Sequence, residues 1–320
     1  MFPSAWLQDA ENRIQPFIHQ TPLSYDPALG IYLKWENQQV TGSFKVRGAL
    51  NKVLTLSENE RSRGLVAASA GNHGLGVALA GQLVGAPTII FSSEHAVPYK
   101  VEAMRLSGAD VHLVPGGYGE AELAGLEYAR TTQAAWISPY NDTLVIAGQG
   151  TLGLEIQRQL PPLASPPAWI VPAGGGGLMA GIGAALESGQ QHKQGDHHKP
   201  RLIGVQSEAS PFLHAIFHTG SQEGVTEFPS LADGLAGPVE KQAITIQLMR
   251  EFVDEFILVS EDEIRQAIAY AWREYGERIE GSAAVALASV LTQKVTDRPA
   301  IVVISGGNIQ PEIHAEIVGV

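Results

Sequence analysis

Short apolar runs that alternate with stretches of helical hydrophobic period constrain this chain more than any other feature. The runs fall at 31–35, 65–69, 88–91, 111–114 and 136–138, and again at 169–171, 202–205, 256–259 and 300–304. Helical patterns lie between or after them, near 74–84, 98–107, 118–132, 144–160, 178–188, 241–251, 261–275 and 283–294. That rhythm predicts parallel sheets joined by crossover helices, an α/β fold, with a surface-packed helix over 4–18 ahead of it. No internal repeat is visible. A length of 320 residues, 44% hydrophobic and 17% charged, suits a soluble globular protein of one large or two modest domains. Acidic residues number 33 against 21 basic, with no dense basic run, which argues against a nucleic-acid partner. Cysteine is absent, so disulfides, thiolate nucleophiles and cysteine-ligated metals are excluded. The first residues lack the pattern of a signal peptide and no apolar run is long enough to span a bilayer, so the expected location is cytoplasmic, with no membrane partner.

Four motifs carry chemistry. In Thr41-Gly42-Ser43-Phe44-Lys45-Val46-Arg47-Gly48, the hydroxyls of Thr41 and Ser43 are candidate helix caps, and Val46, Ala49, Leu50 and Val53 have helical spacing. Lys45 then sits in a first helical turn, where the dipole disfavours an ammonium by roughly 0.3–1 kcal/mol. It is either a solvated lysine or an amine kept neutral or covalently occupied as a Schiff base. The run Gly174-Gly175-Gly176-Gly177 is entered by an apolar strand and left by the pattern Leu178, Met179, Ile182, Leu186. Converging N–H groups and a helix start suit a phosphate monoester, the other reading being a flexible linker. No Gly-Lys-Ser/Thr follows, so it is not a nucleoside-triphosphate loop. The turn Ser69-Ala70-Gly71-Asn72-His73-Gly74 offers a hydroxyl, an amide and backbone donors for a carboxylate or phenolic oxygen. His73 there is a general base or a scaffold residue. Finally, the run 300–304 leads into Ser305-Gly306-Gly307-Asn308, where open parallel sheets bind ligands.

Two further patterns are set aside. Gly148-Gln149-Gly150-Thr151-Leu152-Gly153 matches G-x-G-x-x-G, but no carboxylate follows on the next strand to hold a ribose, so a dinucleotide site is not expected. The polar run 190–199, with His192, His197 and His198, reads as a solvated connection rather than a metal cluster.

In this order and spacing, the lysine motif, the Ser-Ala-Gly-Asn-His-Gly turn, the four-glycine loop and the Ser-Gly-Gly-Asn turn resemble the pyridoxal-phosphate enzymes of the tryptophan synthase β fold, fold type II. The nearest members are the threonine/serine dehydratases and serine racemase. The resemblance runs from about Pro22 to Asn308. It implies a two-domain fold with the cofactor in the interdomain cleft, a large discontinuous domain of residues 1–59 and 142–320, and a small domain of residues 60–141 that closes on substrate. It further implies that Lys45 forms the Schiff base with pyridoxal 5'-phosphate, that Phe44 packs by the ring, and that Asn72 bonds the phenolic oxygen. Gly174, Gly175, Gly176, Gly177 and Leu178 would hold the phosphate, Ser305 would face the pyridine nitrogen, and Glu280 would lie near the ring. Ser69, Gly71, Asn72 and His73 would take the substrate carboxylate.

The implied reaction is β-elimination: Lys45 removes the α-proton, the hydroxyl leaves as water with a proton from the cofactor phosphate, and hydrolysis gives a 2-oxo acid and ammonia. L-threonine would give 2-oxobutanoate and L-serine pyruvate. Ala70 stands where serine racemase has its second base, which points to a lyase. Gln206 and Phe212 stand where the racemase-like members carry metal carboxylates, so no metal is expected. The pair Val46-Arg47 lacks the acidic residue that follows the lysine in cysteine and threonine synthases. With Val320 so soon after Asn308, the regulatory domain of biosynthetic threonine dehydratases is expected to be absent. Homo-oligomers, dimers or tetramers, are the family expectation. Two alternatives remain: another β-hydroxy amino acid as substrate, its pocket shaped by Tyr140 and the turn 233–237, and a cofactor-binding protein without turnover.

Overall fold

Ten strands, nine of them from the nine apolar runs, form two sheets among the residues described by the computed structural model, 3–190 and 200–319. In chain order they are β1 (Leu23–Asp26), β2 (Ile31–Trp35), β3 (Leu65–Ala68), β4 (Thr88–Ser93), β5 (Asp110–Val114), β6 (Ala135–Trp136), β7 (Ala168–Pro172), β8 (Leu202–Ser207), β9 (Glu255–Val259) and β10 (Ala300–Ile304). The larger sheet has the order β1-β2-β10-β7-β8-β9 and the smaller β5-β4-β3-β6. Every pairing is parallel except β1 with β2. Parallel sheets bury both faces under crossover helices, and β3, β7, β8 and β10 are accordingly buried at every position. No helix among the described residues is long and apolar enough to cross a membrane.

Several expectations need correcting. The edge strand β1 went unseen because Leu23-Ser24-Tyr25-Asp26 is short and has no buried position, lacking the continuous apolar signal of its buried neighbours. Strand β6 ends at Trp136 rather than 138: Ile137 N–H still reaches Val66 O on β3, but Ser138 then turns the chain by accepting from Asn141 N–H. The helix expected at 241–251 begins at Ile244, held by Asn141 Oδ1. Helices Glu58–Ser62, Phe212–Thr219 and Pro311–Val318 were not foreseen. The polar run 190–199, read as a solvated connection, lies outside the described residues apart from Gln190, the last residue of the helix Gly177–Gln190.

The G-x-G-x-x-G motif forms no loop at all. It lies inside the helix Thr143–Gln159, which Asp142 caps through the N–H groups of Leu144 and Val145. Its glycines are contact points between helices. A methyl group on Gly148 would stand 2.8 Å from Gly48 Cα, in the helix Lys45–Thr55. One on Gly150 would stand 2.7 Å from Gly181 O, and one on Gly153 would stand 2.7 Å from Ala185 Cβ, both in the helix Gly177–Gln190. The motif thus seats the lysine helix and the helix of the glycine loop on one central rod.

Candidate active site

Three of the four motifs sit at the carboxyl ends of strands. Strand β3 runs into Ser69, β7 into Gly174 and β10 into Ser305. The fourth is tied to the last of these. Phe44 N–H donates to Ser305 O at 3.1 Å, Gly307 N–H to Gly42 O at 2.9 Å, and Asn308 Nδ2 to Thr41 O at 2.9 Å. Lys45 is therefore held against the end of β10 by two main-chain bonds and the Asn308 side chain.

The helix Lys45–Thr55 has no side-chain cap; Phe44 occupies the cap position. The expectation that Thr41 and Ser43 cap it fails, because that strap to 305–308 turns their hydroxyls elsewhere: Thr41 Oγ1 faces Ser43 O, and Ser43 Oγ is buried without a partner. Lys45 Nζ donates to Pro139 O at 3.1 Å and lies 5.3 Å from the Phe44 ring centroid. Burial pushes its pKa down to about 8, against the pull of Glu280. An amine with that value is available as a nucleophile and base near neutral pH.

Below Lys45 lies a cluster of buried charges that the sequence reading missed. Arg47 makes a paired contact with Glu36, Nε to Oε2 at 2.7 Å and Nη2 to Oε1 at 2.8 Å, and Nη2 reaches Glu155 Oε2 at 3.0 Å. Lys34 Nζ meets Glu155 Oε1 at 2.5 Å and Thr21 O at 2.7 Å. All four charged side chains are buried. Burial opposes ionisation of Glu36, yet Arg47 holds its carboxyl below the usual range. Two cations balance two carboxylates, and the set pins the lysine helix to β2 and to the helix Thr143–Gln159.

The glycine loop forms a cradle. Among the described residues, the N–H groups of Gly174, Gly175 and Gly176 donate to nothing. The first N–H groups of the helix Gly177–Gln190, from Gly177 and Leu178 onward, add to them. Gly176 has a φ of +86°, a conformation open to glycine. Tyr140 lies flat behind the loop, and a methyl on Gly175 would meet its ring at 2.6 Å from Cε1. These donors at a helix start match the oxygens of a phosphate monoester.

On the opposite side, Ser69 Oγ accepts from Gly71 N–H at 3.1 Å and Gly74 N–H at 2.9 Å, which folds the turn and starts the helix Asn72–Val84. Its O–H proton and the N–H groups of Asn72 and His73 stay free to bind an anion. The His73 ring is turned away. Its Nε2 contacts Ile137 O at 2.8 Å, its Nδ1 is buried without a partner, and burial, reinforced by the Lys45 charge, pushes its pKa down to about 3. Of the two readings of His73, its ring contacts fit a scaffold residue, while its backbone N–H stays with the Ser69 turn.

Asn72, Glu280 and Asn308 form a chain. Asn72 Nδ2 donates to Glu280 Oε1 at 2.6 Å, and Asn308 Nδ2 donates to Asn72 Oδ1 at 2.7 Å, which orients the Asn72 amide with one N–H to spare. Glu280 is pushed up to about 7 by burial, with Lys100 acting against the rise. The sequence reading included Glu280 but not Asn308, although the latter closes the Ser-Gly-Gly-Asn turn. Gln206 Oε1 accepts from His214 N–H at 2.7 Å.

A family model described as pyridoxal-phosphate dependent enzyme matches residues 14–307. L-threonine ammonia-lyase of Thermotoga maritima is 41% identical over 98% of this chain and 77% of its own length. Among solved structures, the processed form of threonine deaminase isoform 2 from Solanum lycopersicum superposes with a TM-score of 0.86 at 30% identity, covering 98% of this chain and 88% of that one. Maize serine racemase gives a TM-score of 0.86 at 27% identity, over 96% and 94%.

Proposed function

The chain belongs to the pyridoxal-phosphate-dependent enzymes and is a lyase, and we propose that it eliminates water from L-threonine to give 2-oxobutanoate and ammonia, with L-serine giving pyruvate. One observation carries the reading: the buried Lys45 amine bonds Pro139 O, next to the Tyr140 that packs on the glycine loop, and feels the field of Glu280, which Asn72 of the Ser69 turn bonds. The residues present fit the cofactor, because the free N–H groups of Gly174, Gly175 and Gly176 have no other acceptor. When bound, it supplies the carbonyl carbon that takes the substrate amine and the electron sink that acidifies the α-proton.

In this reading Gly174, Gly175, Gly176, Gly177 and Leu178 hold the phosphate, Phe44 packs against the ring, Asn72 gives its spare N–H to the phenolic oxygen, and Ser305 faces the pyridine nitrogen. Ser69 O–H and the Asn72 and His73 N–H groups, with Gly71 between them, take the substrate carboxylate. Lys45 receives the α-proton. Ala70 brings no hydroxyl to the opposite face, which favours elimination over racemisation. The division into residues 60–141 and the remainder is supported by the smaller sheet, whose strands all fall within that range.

The test is visible absorbance of the purified protein before and after L-threonine, L-serine and D-serine, with 2-oxo acid assayed in the same cuvette. Absorbance lost in Lys45→Ala, with 2-oxobutanoate formed from L-threonine, is the expected result. A yellow protein that makes no 2-oxo acid from any of the three overturns the substrate assignment.

A further inference from the structure

Lys100 is a second buried lysine near Glu280 and the Ser69 turn, and neither the sequence motifs nor the reaction above uses it. It lies in the helix Pro98–Leu106, between β4 and β5 of the smaller sheet. Its Nζ reaches Asp233 Oδ2 at 2.6 Å, on the turn Asp233–Leu235 that belongs to the larger sheet's connections. That turn backs the phosphate cradle, since a methyl on Gly174 would lie 3.0 Å from Leu235 Cα. The Lys100 stem passes over the carboxylate turn so closely that a methyl on Gly71 would stand 2.9 Å from its Cδ.

The pair is lopsided in a way that a surface ion pair is not. The Lys100 side chain is 9% exposed and that of Asp233 46%. An ammonium is costly to bury, and the stem of this one lies against Gly71, the residue ahead of the two free N–H groups at the start of the helix Asn72–Val84, themselves a positive end. It remains charged through the fields of Asp233 and Glu280. Such an arrangement puts a fixed cation next to a helix start, which is what an incoming carboxylate needs.

We propose that Lys100 is a substrate-positioning residue: clasped across the cleft by Asp233, it fixes the Ser69–Gly71 turn and supplies the positive field in which the amino-acid carboxylate docks. This rests on the reading of that turn as the carboxylate receptor. Because Lys100 lies at the carboxylate end and not at the α-carbon, its loss acts on ground state and transition state alike, and so appears in KM more than in kcat.

The experiment compares holoenzyme variants Lys100→Met, Lys100→Arg, Asp233→Asn and the Lys100→Met/Asp233→Asn pair, with L-threonine as substrate. Readouts are KM, kcat and cofactor absorbance without substrate. Lys100→Met should raise KM at least about ten-fold while kcat falls less than about three-fold, with the absorbance unchanged. Lys100→Arg should keep KM within about three-fold of the parent, and the double variant should be no worse than the poorer single one. A KM unchanged in Lys100→Met overturns the proposal; so does a lost absorbance, which would place Lys100 on the cofactor. Should Lys100→Met fail to fold, Asp233→Asn decides, since it frees the ammonium without burying a new group, and an unchanged KM there refutes the clasp. An unsubstituted enzyme inert towards L-threonine would instead refute the substrate reading underneath.

Discussion

Gly148→Ala separates the packing account of the G-x-G-x-x-G stretch from any account based on helix propensity. In an exposed helix interior, glycine to alanine gains about 1 kcal/mol. At Gly148 the added methyl would stand 2.7 Å from Asn51 Cβ and 2.8 Å from Gly48 Cα, and closer still to the Arg47 carbonyl oxygen. Ordinary contact begins at 3.4 Å, so the helices Thr143–Gln159 and Lys45–Thr55 must part by about 0.6–0.7 Å to clear the two carbons, and by more to clear the carbonyl oxygen. Overpacking of this kind costs about 1–3 kcal/mol, and a main-chain carbonyl has no rotamer by which to escape, which selects the upper part of that range. The net expectation is a loss of about 1–2 kcal/mol, read as a lower urea midpoint. Gly119→Ala is the control: it lies in the helix Tyr118–Thr132 with nothing within 4 Å of its added methyl, so it should raise the midpoint by up to about 1 kcal/mol. Because the displaced backbone lies beside Lys45, Gly148→Ala should also lower kcat/KM by about ten-fold. A midpoint for Gly148→Ala at or above that of the parent would refute the contact described here.

The remaining predictions concern buried charge. Arg47→Met strands the Glu36 carboxylate with Thr21 and distant Lys34, and should cost about 3–5 kcal/mol in urea unfolding; Arg47→Met/Glu36→Gln should recover part of it. Glu280 has a folded pKa of about 7 against an ordinary 4.5, so the cofactor-free fold favours its protonated form. Its contribution is intact below about pH 4.5 and declines as pH rises to about 7, by at most about 3 kcal/mol, and Glu280→Gln should flatten that slope between pH 5 and 8. His73, lowered to about 3, has the opposite sign: its neutral ring favours the fold above pH 6.5, and stability is lost as pH falls towards 3. His73→Gln retains a donor for Ile137 O, so in the cofactor-free chain it should narrow the difference in unfolding midpoint between pH 6.5 and pH 4.5.

What the sequence made legible follows from which forces are local. Runs such as Ala300–Ile304 and Ala168–Pro172 are buried on both faces, so their composition alone marks them as strands. The glycine loop was legible for the same reason, since a strand, four glycines and a helix are consecutive. Lys100 had no such signal, because its meaning lies in Asp233, which is 133 residues distant in the chain. The cluster of Lys34, Glu36, Arg47 and Glu155 is likewise spread over four elements, and each member alone reads as an ordinary surface charge. His73 was half legible: its place in the turn was apparent, but the direction of its ring depends on Ile137, beyond the end of β6.

These long-range contacts also resolve the puzzle of a cation in a first helical turn. Dipole repulsion there amounts to roughly 0.3–1 kcal/mol. Burial of the same amine is the larger effect and acts in the same direction, lowering its pKa to about 8. An unconstrained lysine would relieve both by swinging into solvent. Here Lys45 is held from three sides: the Ser305 and Gly307 main chain fixes the segment before it, Gly148 presses against the helix turn after it, and Arg47 anchors that turn to Glu36 and Glu155. The fold thus keeps the amine where its charge is least favourable, and the free energy stored in that placement is released when the amine becomes neutral or is consumed in a covalent bond. Stability of the surrounding scaffold and reactivity of Lys45 are therefore coupled, so a substitution that loosens Arg47 or Glu36 should return the Lys45 pKa towards its ordinary range as the helix start gains access to water.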